Sequence, residues 1–219
     1  MGPPPTTAWR RRQVLAALTT GSVVAVAGCT GNSSAETTIT DSFESGLGDW
    51  TTGADVPDDP NNPGHPVQWS ITPSTDQSAD GARSVKYVLD GRQDDGTIWI
   101  VRPVTVTPDT AYTAEVSAQA WSQSESFNTL AHLVMALGPD APTAETDFPQ
   151  PNTNSTTDDT ALGGLREPLN RAAGWEVYTF TWETPRLDTD TLYLAVGISA
   201  VWETQLSYYV DDVTLALRG

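Results

Sequence analysis

The sequence predicts an all-β protein, a two-sheet antiparallel β-sandwich of about nine strands. Three observations predict it. Beyond residue 38 no segment sustains a helical apolar period. Short alternations of apolar and polar residues recur instead, bounded by Gly, Pro, Asp and Asn. β-Branched and aromatic residues fill these runs, and the chain carries eight tryptophans.

The elements follow in order. Residues 1–28 read as an export signal rather than structure. Arg10, Arg11 and Arg12 precede a weakly apolar stretch, Val14 to Ala27, shorter than the ~20 residues that a membrane span needs. Arg11-Arg12-Gln13-Val14-Leu15 resembles the twin-arginine export motif, with Val14 where Phe is usual. Val26-Ala27-Gly28-Cys29 resembles a lipobox, which implies cleavage before Cys29 and a lipid on its sulfur. Cys29 is the only cysteine, so no intrachain disulfide is available and lipidation accounts for the thiol. Together the two motifs imply export and anchoring at the outer face of the cytoplasmic membrane, with the domain extracellular. Residues 29–38 are small and polar, a flexible tether.

The domain proper is expected over 39–217. Its strands are predicted at Thr38–Phe43, Val67–Ile71, Arg83–Leu89, Thr97–Val104, Ala111–Ala120, Leu130–Leu137, Trp175–Trp182, Leu192–Ser199 and Leu206–Leu217. In Ala111–Ala120, Tyr112, Ala114, Val116 and Ala118 share one face, and Thr113, Glu115, Ser117 and Gln119 the other. Trp175–Trp182 places Tyr178, Phe180 and Trp182 together. Residues 138–174 interrupt the pattern as a long loop rich in Pro, Thr, Asn and Asp, with a short helix or turn expected over Leu162–Ala173.

Charge narrows the partners. The chain carries 28 acidic against 11 basic residues, a net −17, and Lys86 is its sole lysine. Removal of the signal takes three arginines and makes the mature chain more negative still. Such a chain repels nucleic acid and anionic lipid surfaces, so no nucleic-acid partner is expected. Hydrated carboxylates whose repulsion is screened by salt suit a concentrated-salt medium. The acidic, lysine-poor, threonine-rich composition resembles exported lipoproteins of halophilic archaea.

Four segments carry a family resemblance. Asp41-Ser42-Phe43-Glu44-Ser45-Gly46 followed by Trp50 resembles the opening of jelly-roll carbohydrate-binding modules. Ser78-Ala79-Asp80-Gly81-Ala82-Arg83-Ser84-Val85, Gly174-Trp175-Glu176-Val177-Tyr178 and Tyr208-Tyr209-Val210-Asp211-Asp212-Val213 resemble three later strands of the same modules. The likeness spans roughly 39–217 and extends to the wider galactose-binding-like superfamily, with its adhesive members. It implies a jelly-roll fold and glycan binding without catalysis. A structural or adhesive role towards protein partners is the alternative, and a glycan-cleaving enzyme stands third.

The resemblance also implies a structural calcium where the first and last strands meet. Glu44 and Asp211 match its ligands, and the 80–84 loop would add backbone oxygens, as calcium takes six to eight. In the plainer reading both are hydrated surface acids or turn caps. For sugar, aromatic rings stack on pyranose faces while amides and carboxylates bond the hydroxyls. Trp121, in step with Glu115 and Gln119, is expected to carry this role. His132 is expected on the neighbouring strand, completing one polar face, and Trp202 is a second candidate at a strand end. Trp99, Trp175 and Trp182 read as structural. Glu145-Thr146-Asp147 begins the Glu-x-Asp-x-x-Glu pattern of jelly-roll glucanases, but Gln150 stands where its last Glu belongs. Asn32 and Asn154 open Asn-x-Ser/Thr sequons in segments expected to be exposed.

Overall fold

The computed structural model describes residues 36–90, 95–154 and 162–219. Cys29, Arg11, Arg12 and Asn32 lie outside the described residues. Among the described residues, twelve strands form two sheets, and every pairing is antiparallel.

In chain order the strands are β1 (Glu36–Asp41), β2 (Thr51–Asp55), β3 (Trp69–Ser74), β4 (Ser84–Leu89), β5 (Thr97–Thr105) and β6 (Thr113–Ser122). Then come β7 (Ala131–Gly138), β8 (Thr153–Asn154), β9 (Gly163–Pro168), β10 (Gly174–Glu183), β11 (Thr191–Ala200) and β12 (Leu206–Arg218). Sheet A runs β10-β6-β12-β4-β3, with β1 paired to β12 beyond the end of β4. Sheet B runs β2-β5-β11-β7-β9-β8.

The alternations decide what lies between the sheets. Val116, Phe180, Val210 and Leu215 of sheet A meet Ile100, Leu133, Leu194 and Val196 of sheet B in one buried cluster. Tyr87 crosses it, and its hydroxyl donates to the Val196 carbonyl at 3.0 Å. The opening motif closes one edge. Phe43 and Trp50 are buried with ring centroids 6.0 Å apart, and the Trp50 indole N–H donates to Asp41 Oδ2 at 2.9 Å.

The nine expected strands are all present, and three more join them. β2 reads Thr-Thr-Gly-Ala-Asp and offers no apolar alternation to detect. β8 and β9 lie inside the stretch expected to be a loop. Leu162–Ala173 forms no helix: half of it is β9, a strand opened by two glycines, and the expected turn is confined to 169–173. At Gly164 a Cβ would stand 2.2 Å from the Met135 carbonyl oxygen, so β9 packs too closely on β7 for a side chain there. The rest of the stretch, 139–152, crosses the outer face of sheet B. It holds a single 3-10 turn (Glu145–Asp147) and a buried Phe148. Phe148 joins Trp99, Val101, Val134, Ala136 and Ala195 in a second apolar cluster on that face. β7 is therefore covered on both sides, which is why it reads as a continuous apolar run.

Candidate functional site

Strand parity builds the site. β6 sends Ala114, Val116, Ala118 and Ala120 into the core, so Glu115, Ser117, Gln119 and Trp121 face outward. On β10 the core takes Tyr178, Phe180 and Trp182, which leaves Trp175, Val177 and Thr179 outside. Trp175 pairs with Trp121, Trp121 with Tyr209 of β12, and Tyr209 with Lys86 of β4. Residues paired directly across antiparallel strands share a face, so these four form one row over four neighbouring strands.

The row is braced from one side. The Trp121 and Tyr209 rings meet edge to face, with centroids 5.2 Å apart and planes at 84°. Tyr209 is buried, and its hydroxyl donates to Asp76 Oδ2 at 3.3 Å. Lys86 Nζ lies 5.5 Å from the centre of the same ring and 2.8 Å from Asp76 Oδ2. That contact holds the Asp76 carboxyl below its ordinary range and raises the Lys86 ammonium above its own. Trp121 and Trp175 stay partly exposed. Two indoles side by side on an open sheet face, one fixed from behind, can stack on the apolar faces of a ligand's rings. Gln119, whose Nε2 donates to Asp212 Oδ2 at 3.1 Å, adds polar groups one step away.

The other expected site residues scatter. Glu115 is exposed on the same face but lies near the far end of β6, 3.5 Å from the Arg218 guanidinium. His132 does not complete that face. It lies on β7 in sheet B, paired with Ser199 and Pro168, because β6 and β7 belong to different sheets although consecutive in sequence. Its imidazole is buried, and desolvation, with the Arg166 charge nearby, pushes its pKa down to about 4. Trp202 is exposed on the loop between β11 and β12 and is not a member of the paired row. Trp175, read as structural, is on the outer face. Its odd position among the core residues Tyr178, Phe180 and Trp182 already signals this, as does that of Tyr209 between Tyr208 and Val210.

Glu44 and Asp211 do converge on one loop, as expected. Glu44 Oε1 accepts from the Ala82 and Arg83 N–H groups, each at 2.8 Å. Asp211 Oδ2 accepts from Ala79 and Asp80 at 2.8 and 3.1 Å, and Oδ1 from Asp212 at 2.8 Å. Asp211 is fully buried, and desolvation raises its carboxyl against the pull of these donors. A calcium site needs oxygens turned to the ion, whereas this loop turns N–H groups to both carboxylates. The donor set does not fit a calcium cage. Among the described residues no group of three or more His, Cys, Asp or Glu side chains is placed to hold a metal. Asn154 is exposed on β8, and its Nδ2 donates to the Thr179 carbonyl at 3.1 Å.

No family model and no curated protein matches the chain. Solved structures do resemble it. A carbohydrate-binding module of the β-sandwich superfamily is 17% identical with a TM-score of 0.45, over 79% of this chain and 59% of that one. The family 61 module TmCBM61, solved with β-1,4-galactotriose, is 10% identical with a TM-score of 0.46, over 80% and 93%. The enzymatically active domain of bacteriophage CBA120 tailspike protein 4 is 11% identical with a TM-score of 0.47, over 81% and 21%. The chain thus spans about three fifths of the first of these.

Proposed function

We propose that this protein is a lipid-anchored, non-catalytic module that binds glycan on the outer face of sheet A. One observation carries the reading: Trp121 and Trp175 leave the core, stand in register on adjacent strands, and face solvent. Neighbouring strands lie about 4.8 Å apart, a step comparable with one pyranose ring, so two consecutive sugar rings can engage the pair. The chain's negative charge favours neutral glycans at this face.

The position of the row suits an anchor at Cys29. β1 starts at Glu36, paired with Arg218, while Trp121 pairs with Tyr209. That separates the row from the first residue of β1 by roughly 30 Å along β12, at about 3.3 Å per residue. The tether expected over 29–38, whose last three residues belong to β1, would therefore join the end remote from the indoles and leave them facing the surroundings.

A glycan array in molar salt identifies the ligand, and Trp121→Ala and Trp175→Ala test the site. Each is expected to weaken binding roughly tenfold, the scale of one stacked ring, with the melting temperature unchanged. Full binding by both variants would end this reading. The adhesive alternative draws on exposed Val177, Phe127 and Trp202, and a blank array with capture of a protein partner at those residues would favour it. Cys29→Ser is expected to release the protein from membranes.

A further inference from the structure

The segment 139–152 lies across the outer face of sheet B, and what it covers is not an ordinary apolar patch. The row beneath it runs Gly53, Trp99, Gly197, Val134, Arg166 over β2, β5, β11, β7 and β9. A Cβ at Gly53 would fall 2.4 Å from the Trp99 ring, and one at Gly197 would fall 2.6 Å from Trp99 Cβ. Two glycines thus make room for an indole lying over the sheet, with the small residues of β11 and β7 between it and Arg166.

Three buried nitrogen atoms on this face have no hydrogen-bond partner among the described residues, Trp99 Nε1, Arg166 Nε and His132 Nδ1, and the Thr97 hydroxyl on the same face has none either. All three side chains are more than nine-tenths buried. A buried donor without an acceptor costs about 1–3 kcal/mol, so three on one face need a reason. Arg166 is only half used. Its Nη2 donates to Glu145 Oε1 and, at 2.8 Å, to Ser199 Oγ, and a guanidinium has a second edge to offer.

The covering segment meets this face with two side chains. Glu145 supplies a carboxylate to Arg166, and Phe148 lays a ring edge-on against Trp99, with centroids 5.5 Å apart. They stand three residues apart across the 3-10 turn, where side chains at i and i+3 project together. The pair presents a six-membered ring with a carboxylate beside it.

We propose that 139–152 is an autoinhibitory strap, and that Glu145 and Phe148 occupy a second ligand site on sheet B that takes a carboxylate-bearing pyranose, a uronic acid residue. The ring of such a sugar replaces Phe148 on Trp99. Its carboxylate replaces Glu145 on Arg166 and Ser199, and its hydroxyls reach the idle Trp99 Nε1 and His132 Nδ1. The strap competes from within the chain, so the closed protein binds this ligand only to the extent that the strap lifts. The site is separate from the sheet A row and does not depend on it.

The test uses the mature chain with Trp121→Ala and Trp175→Ala together in the background, which removes both indoles of sheet A. Trigalacturonate is titrated by calorimetry, with the neutral α-1,4-galactotriose as control. Opening the strap with Glu145→Ala and Phe148→Ala together is expected to tighten trigalacturonate binding at least tenfold over the closed protein. Adding Arg166→Gln is expected to reverse the gain, and the neutral sugar is expected to bind at least tenfold more weakly. Equal binding by closed and opened forms overturns the proposal, as does a gain that survives Arg166→Gln or is shared by the neutral sugar. If the opened form fails to fold, Glu145→Gln keeps the shape of the strap and removes its charge. A threefold or greater gain in uronate affinity is then expected, and no gain overturns the proposal.

Discussion

Trp121 and Trp182 belong to neighbouring strands of one sheet, yet one meets solvent and the other is fully buried, and strand parity alone separates them. The same parity turns Tyr209 outward, where it props Trp121 without being open to ligand. Tyr209→Phe keeps the ring and is expected to leave glycan affinity within about twofold, whereas Tyr209→Ala removes the brace and is expected to cost severalfold. Calorimetric titration of the two variants separates the ring's part from that of the hydroxyl on Asp76. On sheet B the informative residue is a glycine. Gly53→Ala drives a methyl into the Trp99 ring, and overpacking of this kind costs about 1–3 kcal/mol. Denaturant unfolding is expected to show that loss, and wild-type stability in the variant would mean that Trp99 moves freely. Both indoles of the sheet A row were within reach of the sequence, since each sits one step out of phase with its apolar neighbours. The sequence singles out only Trp121, because Trp175 falls inside a motif whose other aromatic residues point inward.

Among the elements, the 79–83 loop and the strap differ in what holds them. The loop hangs from two carboxylates by four N–H donors, with Gly81 at φ +64 so close that a Cβ would stand 2.5 Å from Glu44 Oε1. Chelation at constant salt is expected to leave the melting temperature unchanged, whereas Gly81→Ala is expected to lower it by several degrees. A drop on chelation would show that an ion, and not the loop's amides, holds Glu44 and Asp211. The strap lies over His132, whose pKa is held near 4 by burial and by Arg166, against the partial opposition of Glu145. Below its ordinary pKa of 6.5 the imidazole takes up a proton in the unfolded chain but not in the folded one. Stability is therefore expected to fall as pH drops from about 6.5 to about 4, by a few kcal/mol at about 1.4 kcal/mol per unit. A His132→Gln variant should flatten that part of the pH profile, and an unchanged slope would place the titration elsewhere. The strap and β9 were not legible as elements. A strand that begins Gly-Gly and a segment whose apolar contacts are Ala141 and Phe148 carry no period of their own.

At the scale of the whole molecule, charge is the dominant feature. A net −17 repels itself over the Debye length, about 30 Å at 10 mM salt and 3 Å at 1 M. The melting temperature is expected to climb steeply with added salt, and a flat dependence between those two concentrations would remove the case for adaptation to concentrated salt. Alternation and composition alone fix the all-β class, the nine strands with clear alternation, the outward side of β6 and the charge. Each of these is local: a period of two, a run of residues or a sum of charges needs no knowledge of what lies opposite. Tertiary structure alone decided which strands became neighbours. It sent β6 and β7 to different sheets and so parted His132 from Trp121, it brought Trp175 beside Trp121, and it laid 139–152 over Trp99 and Arg166. Strand partnership depends on chain crossings between sheets, and neither alternation nor composition encodes those.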